Sequence, residues 1–369
     1  MNTNYKKVLL GDVVKINSSS YSAKDNLQYV NYLDTGNITD NVISEIQRID
    51  ISVDRLPSRA KRKVKYNSII YSTVRPNQRH YGIIKEQPEN FLVSTGFAVI
   101  DVIKELADAD FIYYWLTQNK VVDLLHAIAE QSVSAYPSIK PSNIENLEIF
   151  LPELSEQKKI ASILNVISKK MVVNNSINSN LEQQMLSMFQ NKFSDLYSCN
   201  SSSFESIIEF SNGKKRPDET GKFPVYGGNG ILAYTNKSNS ENCVIIGRVG
   251  AYCGNVFLST APCWVSDNAI QAKSKISDCQ LFTYYALKCA NLPSRHIGTG
   301  QPLMTQGILN SIPFGIPDKD TIISFENHCL PLQQTIENNL LENNNLSVLR
   351  DTLLPKLISS EIDLSNIDI

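Results

Sequence analysis

Apolar side chains between Leu151 and Gln190 recur in alternating steps of four and three: Ile160, Leu164, Ile167 and Met171, then Leu181, Met185 and Met188. That spacing marks the seam of a long helix packed on another helix. Asn174 and Asn178 are polar members of the same seam. A second stretch repeats the layout: Phe325, Cys329, Leu332 and Ile336, then Asn339 and Asn343, then Leu346 and Leu353. Either stripe alone is explained by burial within its own domain. Two matched stripes separating two non-helical blocks predict a helical spacer between repeated modules. A helix of about 36 residues is about 54 Å long at roughly 1.5 Å per residue, enough to hold two modules a fixed distance apart. Pro331 lacks the amide donor and crowds the preceding turn, so a kink or restart is expected there, and Pro355 perturbs the last turn. An antiparallel register setting Asn174 near Asn343 and Asn178 near Asn339 also brings Met171 to Leu346 and Leu181 to Ile336.

The first block alternates short β-rich runs with polar turns: Lys7 to Ile16, Ser68 to Val74, Tyr81 to Lys85 and Phe97 to Val102. Asp110 to Ile128 carries Phe111, Tyr114, Trp115, Leu116, Val122 and Leu125 at helical spacing and reads as a core helix. A polar loop, Glu130 to Lys140, and a strand-like Leu147 to Leu151 follow. The second block retraces this plan. Asn242 to Arg248 matches Asn67 to Arg75, each an aliphatic strand ending in arginine. Trp264-Val265-Ser266 echoes Leu92-Val93-Ser94, and Asn268-Ala269-Ile270 echoes Phe97-Ala98-Val99. The helix Gln280 to Ala290, the loop His296 to Gln306 and Ile316-Pro317 complete the correspondence. The expected fold class is α+β, with two α/β domains (1–152 and 193–318) in tandem repeat. They are separated by two long antiparallel coiled-coil helices (153–192 and 319–369), a cycle that can close with pseudo-twofold symmetry.

Composition narrows the function. The chain has 369 residues, 42% of them hydrophobic, enough for two cored domains. No leader-like apolar core and no long apolar span is visible, so a cytoplasmic location without membrane contact is expected. The seven cysteines include no C-x-x-C pair and the four histidines are scattered, so no metal site is expected and reduced, mostly buried thiols are. No phosphate loop, cofactor-binding glycine turn or Asn-Pro-Pro-aromatic methyl-transfer motif occurs, and no catalytic residues are assigned. Pro217-Asp218-Glu219 is better read as a turn than as part of a nuclease.

Net charge is -2, but charge is segregated: from Arg55 to Arg79 eight residues are basic and none acidic. Local potential steers a polyanion, so one positive face can coexist with a neutral total. Arg59, Lys61, Arg62, Lys63 and Lys65 have the density for phosphate neutralisation, although a solvated loop also explains them. Arg75, Asn77, Gln78, Arg79 and Tyr81 follow a strand, and Arg, Asn and Gln suit the edges of guanine and adenine. In the second block Lys214, Lys215, Arg216, Asn229, Arg248, Tyr252, Thr299 and Gln301 lie in or beside glycine-rich loops that can approach a partner closely.

Two segments carry a family resemblance. LPELSEQKKIASILNVISKKMVVNNSINSNLEQ resembles the central conserved region of the specificity (S) subunits of type I restriction-modification systems, and Leu349 to Leu357 (LRDTLLPKL) is similar to their C-terminal signature. The resemblance implies two target recognition domains, each reading half of a bipartite site on double-stranded DNA, with the helices setting the gap. It implies no catalysis and no cofactor in this chain. Two modification subunits would carry S-adenosylmethionine and methylate adenine, and restriction subunits could join them to cleave DNA. The family's G-R-x-G strand end and G-T-x-Q loop are matched at Gly247, Arg248, Gly250 and Gly254 and at Gly298, Thr299 and Gln301. The first block departs from both, with Ser72 to Pro76 and with Ser132, Val133 and Ser134, which makes Ser132 and Ser134 its loop candidates. The alternatives are a freestanding DNA-binding regulator and an enzyme with nuclease activity of its own.

Overall fold

The computed structural model describes residues 5–132, 136–276, 278–298, 300–359, 361–362 and 364. Two compact units are present: 1–172 with 342–369, and 173–341. Each unit takes part of both long helices, so neither helix is a separate domain.

In the first unit β1 (Lys6–Leu9) precedes β2 (Val14–Ile16), β3 (Tyr29–Leu33), β4 (Ile38–Thr39), β5 (Val42–Ile43) and β6 (Gln47–Asp50). Then come β7 (Ala60–Lys63), β8 (Ile69–Ser72), β9 (Tyr81–Ile83), β10 (Phe91–Ser94) and β11 (Phe97–Val102). Helices α1 (Ala109–Leu116), α2 (Asn119–Glu130) and α3 (Pro141–Glu145) lead to β12 (Glu148–Leu151) and α4 (Leu154–Phe193). The sheets run β2-β11-β8-β9 and β6-β3-β10-β7, with β1 paired to β12. The inner strand β8 is buried at every position, which is why it reads as a continuous apolar run rather than an alternating one.

The single helix expected over Asp110 to Ile128 is two helices. Gln118 is extended and buried, and its amide turns back to the Trp115 carbonyl at 3.1 Å, while the Thr117 hydroxyl bonds Tyr114 O at 3.2 Å. Such local side-chain bonds offer the backbone an alternative to the helix ladder.

The second unit holds β13 (Ile208–Asn212), β14 (Phe223–Gly227), β15 (Gly230–Thr235), β16 (Cys243–Gly247), β17 (Val256–Ser259), β18 (Trp264–Val265) and β19 (Ala269–Ser274). Its helices are α5 (Gln280–Cys289), α6 (Gln306–Asn310) and α7 (Lys319–Ile358). The sheet β13-β19-β16-β17 has the same antiparallel order as β2-β11-β8-β9. The smaller sheet repeats the parallel pairing, β14 with β18 as β3 with β10. Where the first unit has the edge strand β7, the second has one bridge, Ser240 to Cys263.

In the first unit α4 and α7 run antiparallel: Ile160 and Leu164 share a core with Leu354 and Leu357, and Asn343 donates to Met171 O at 3.5 Å. In the second they do so again. Phe189 packs on Phe325, and Asn339 donates to Asn178 Oδ1 at 2.8 Å. Helix α7 passes through Pro331 and Pro355 without restarting. The carbonyl that Pro331 leaves without a helical donor belongs to Asn327, on the exposed face, where water can serve it. The seven cysteines are free, five of them buried. Among the described residues no helix is long and apolar enough to cross a membrane, and no three His, Cys, Asp or Glu side chains cluster as metal ligands.

Candidate nucleic-acid interface

In the second unit three loops meet. The turn after β16 is tied to the loop before α6 by Gly250 N to Pro302 O at 3.0 Å and Met304 N to Arg248 O at 2.8 Å. That loop doubles back on itself through paired bonds between Ile297 and Leu303. The β14–β15 turn packs main chain on main chain: a Cβ on Gly247 would lie 2.1 Å from Tyr252 O and 2.9 Å from Gly228 O. Glycine is required there by close approach. Asn229, Arg248, Tyr252 and Gln301 are thereby brought to one surface, with Tyr252 48% exposed. Arg248 leans on the Asp267 carbonyl at 3.3 Å. Lys214, Lys215 and Arg216 are exposed and depart beside Ser266, the Trp264 indole donating to Lys214 O at 3.1 Å. Thr299 lies outside the described residues.

The first unit builds the same frame. Ile139 N bonds Thr73 O at 2.8 Å and Arg75 N bonds Pro137 O at 2.9 Å, the counterparts of the Met304 and Gly250 bonds. Thr73 N reaches Gly96 O as Arg248 N reaches Asn268 O. Strand register runs on without a gap: Ser72 faces Phe97 as Gly247 faces Ala269, and Tyr71 faces Tyr81 as Ile246 faces Val256. Arg75 and Arg79 therefore stand where Gly250 and Gly254 stand, and all four have positive φ: 47° and 56° for the arginines, 74° and 87° for the glycines. This corrects the sequence pairing of Arg75 with Arg248, whose structural counterpart is Thr73. It also moves Ala269 from Ala98 to Phe97.

Between the two arginines Asn77 and Gln78 are exposed on a 3-10 turn, and the Arg75 guanidinium lies 5.5 Å from the Tyr136 ring centre. Tyr136, which sequence reasoning missed, occupies the place of Gln301, since Pro137 matches Pro302. Only the register of the flanking bonds reveals it. Ser132 is half-buried and accepts from Ser138 N at 3.3 Å, a loop brace. Ser134 lies outside the described residues.

Other first-unit candidates are corrected. Tyr81 is 2% exposed, stacked on Tyr71 with its hydroxyl on Asp40 at 2.8 Å; burial raises its pKa, and it is a core residue. Arg79 is held by Asn119 Oδ1 at 2.6 Å and Asp40 at 3.8 Å, which spends its charge inside the protein. The basic run is not one patch, because it forms the edge strand β7 and the turn after it. Arg59 and Lys61 are exposed, and Arg59 O takes the Thr95 amide beside the Gly96–Thr73 contact, on the rim of the turn. Arg62 is half-buried and reaches Ser20 Oγ at 3.4 Å. Lys63 pairs with Asp25, and that hydrogen bond holds the Asp25 carboxyl below its ordinary range. Lys65 points to Asp101 at 3.6 Å, near the end of β11 away from Phe97. The outer edge of this strand is itself covered, since Tyr21 N bonds Lys61 O at 2.7 Å and Lys63 N bonds Ser19 O at 3.2 Å.

Two copies of one α/β module, each presenting loop-borne cations and amides, together with two long helices that run antiparallel within each unit, define a tandem-repeat protein. The model of the type I restriction modification DNA specificity domain matches residues 2–183 and 202–343, and the chain belongs to that family. It is 29% identical over 196 residues to the type I restriction enzyme HindI specificity subunit of Haemophilus influenzae, a match covering 52% of this chain and 41% of that one. It is 28% identical over 104 residues to the EcoprrI specificity subunit of Escherichia coli, covering 28% and 26%. The chain thus spans less than half the length of these curated relatives in each match. The crystal structure of the type I restriction-modification system S subunit from M. genitalium has the same fold, with a TM-score of 0.57, 19% identity and 96% coverage of both chains.

Proposed function

We propose that this chain is the noncatalytic sequence-recognition subunit of a type I restriction-modification complex, each module contacting one half of a bipartite site on double-stranded DNA. The observation that carries this reading is the repeated frame: one turn and one loop, joined by the same main-chain bonds, presenting Arg75, Asn77 and Gln78 in one module and Asn229, Arg248, Tyr252 and Gln301 in the other. Arg59 and Lys61 in the first module and Lys214, Lys215 and Arg216 in the second anchor phosphates and fix orientation, while the amides and arginines address base edges. The helices α4 and α7 set the gap between half-sites and dock two modification subunits. Those subunits carry S-adenosylmethionine and methylate adenine at N6 after extruding it from the duplex, a step for which this chain only presents the DNA. Restriction subunits join the same assembly.

Genome-wide adenine-methylation mapping in cells with and without this chain tests the reading. A bipartite methylated motif that disappears with the chain is expected. Cleavage or methylation of DNA by the purified chain alone, given magnesium or S-adenosylmethionine, would instead make it an enzyme.

A further inference from the structure

We propose that Tyr136 and Arg75 form the guanine-reading element of the first module: Arg75 donates two hydrogen bonds to a guanine edge, and Tyr136 positions its guanidinium. The inference rests on the DNA-recognition reading above and adds to it a residue and a base.

Three observations carry it. Arg75 has φ 47° at a position where the second module uses glycine, and nothing lies within 4 Å of a Cβ built at that glycine, Gly250. A left-handed conformation strains a non-glycine residue, so the first module keeps a side chain here against a backbone penalty. Tyr136 is 60% exposed, which rules out core packing as its purpose, and its ring centre is 5.5 Å from the Arg75 guanidinium carbon. The peptide after Tyr136 is pinned to the Arg75 amide through Pro137 O at 2.9 Å, and the Val74–Ser138 bridge closes the next rung. Ring and guanidinium therefore approach a partner as one preorganised unit, which lowers the ordering cost of binding.

The chemistry selects the base. A guanidinium resting against an aromatic face keeps the outer edge of its planar fork free, and that edge matches the O6 and N7 acceptors of guanine in the major groove. Arg79 cannot do this, since Asn119 and Asp40 hold its guanidinium.

The test compares Tyr136→Ala, Tyr136→Phe and Arg75→Ala in the full chain assembled with its modification subunits. Binding of duplexes varied base by base across the first half-site is measured over a range of salt. Arg75→Ala is expected to lose roughly 10- to 100-fold discrimination at one guanine, with the second half-site unchanged. Tyr136→Ala should lose part of that discrimination at the same base, and Tyr136→Phe, which keeps the ring face, should restore it. The salt slope should be unchanged in all three. A slope reduced by about one in Arg75→Ala makes Arg75 a phosphate anchor and overturns the proposal. Unchanged discrimination in Tyr136→Ala, with specific binding intact, overturns it while leaving the DNA-recognition reading standing. Absence of sequence-specific binding by the wild-type assembly removes both.

Discussion

The two modules solve one backbone problem in different ways. Both turns need positive φ at each end; the second module supplies glycine at 250 and 254, the first arginine at 75 and 79. The glycines are not interchangeable with each other either. A Cβ at Gly254 would sit 2.6 Å from Pro293 N, and one at Gly247 would sit 2.1 Å from Tyr252 O, whereas Gly250 has open space. The second module thus packs its loops by main-chain contact. The first holds its turn with side chains, Arg79 on Asn119 and Asp40, and leaves Arg75 outside.

The largest expected effect breaks the second module. Gly254→Ala and Gly247→Ala should each cost about 3 kcal/mol, because the atoms met are backbone and cannot step aside. Gly250→Arg, which imports the first module's residue, should cost only about 1 kcal/mol. Thermal melting of the three variants orders them, and equal losses would mean the turns are packed alike. Next comes Arg79→Ala, expected to destabilise by about 1–2 kcal/mol through the lost bonds to Asn119 and Asp40. Arg75→Ala should leave the melting temperature nearly unchanged. The reverse order would exchange the roles assigned to these two residues.

A smaller effect concerns phosphate contacts. Arg59→Ala and Lys61→Ala should each reduce the salt slope of DNA binding by about one. Lys63→Ala and Lys65→Ala should not, since those lysines face Asp25 and Asp101. Equal slopes for all four would restore the continuous basic patch that the linear sequence suggests.

The smallest effect lies in helix capping. Helix α1 is capped locally, Asp108 accepting from Phe111 N at 3.0 Å. In α5 the cap position is Cys279, and the buried Glu326 carboxylate from α7 accepts from Leu281 N and Phe282 N at 2.9 Å. Burial raises the Glu326 pKa above its ordinary 4.5, so the folded state holds that proton more tightly than the unfolded chain does. Its contribution is fully present below 4.5 and is lost as pH rises through the raised value. The wild-type melting temperature should therefore fall relative to Glu326→Gln as pH climbs from 4.5 toward neutrality. A constant difference would place the proton elsewhere.

Periodicity made the long helices legible, because a seam is a local repeat, and apolar runs made the inner strands β8 and β16 legible, because both their faces are buried. What escaped depends on distant partners. Lys63 looks free until Asp25 is placed beside it, and Tyr81 looks like a contact residue until Tyr71 and Asp40 enclose it. Matching the strand ends by residue type joined Arg75 to Arg248, whereas the ladder joins Arg75 to Gly250. Tyr136 had no signal of its own, since its counterpart Gln301 is chemically unlike it.

A frame held by main-chain bonds has a consequence for descent. Substitution at Asn77, Gln78, Asn229 or Gln301 touches none of the amide–carbonyl pairs that fix the loops. Exposed side chains here can therefore be exchanged one at a time without disturbing the loop frame. The second module is closed to such change at Gly247 and Gly254, so the two halves of one molecule are expected to drift through different sets of positions.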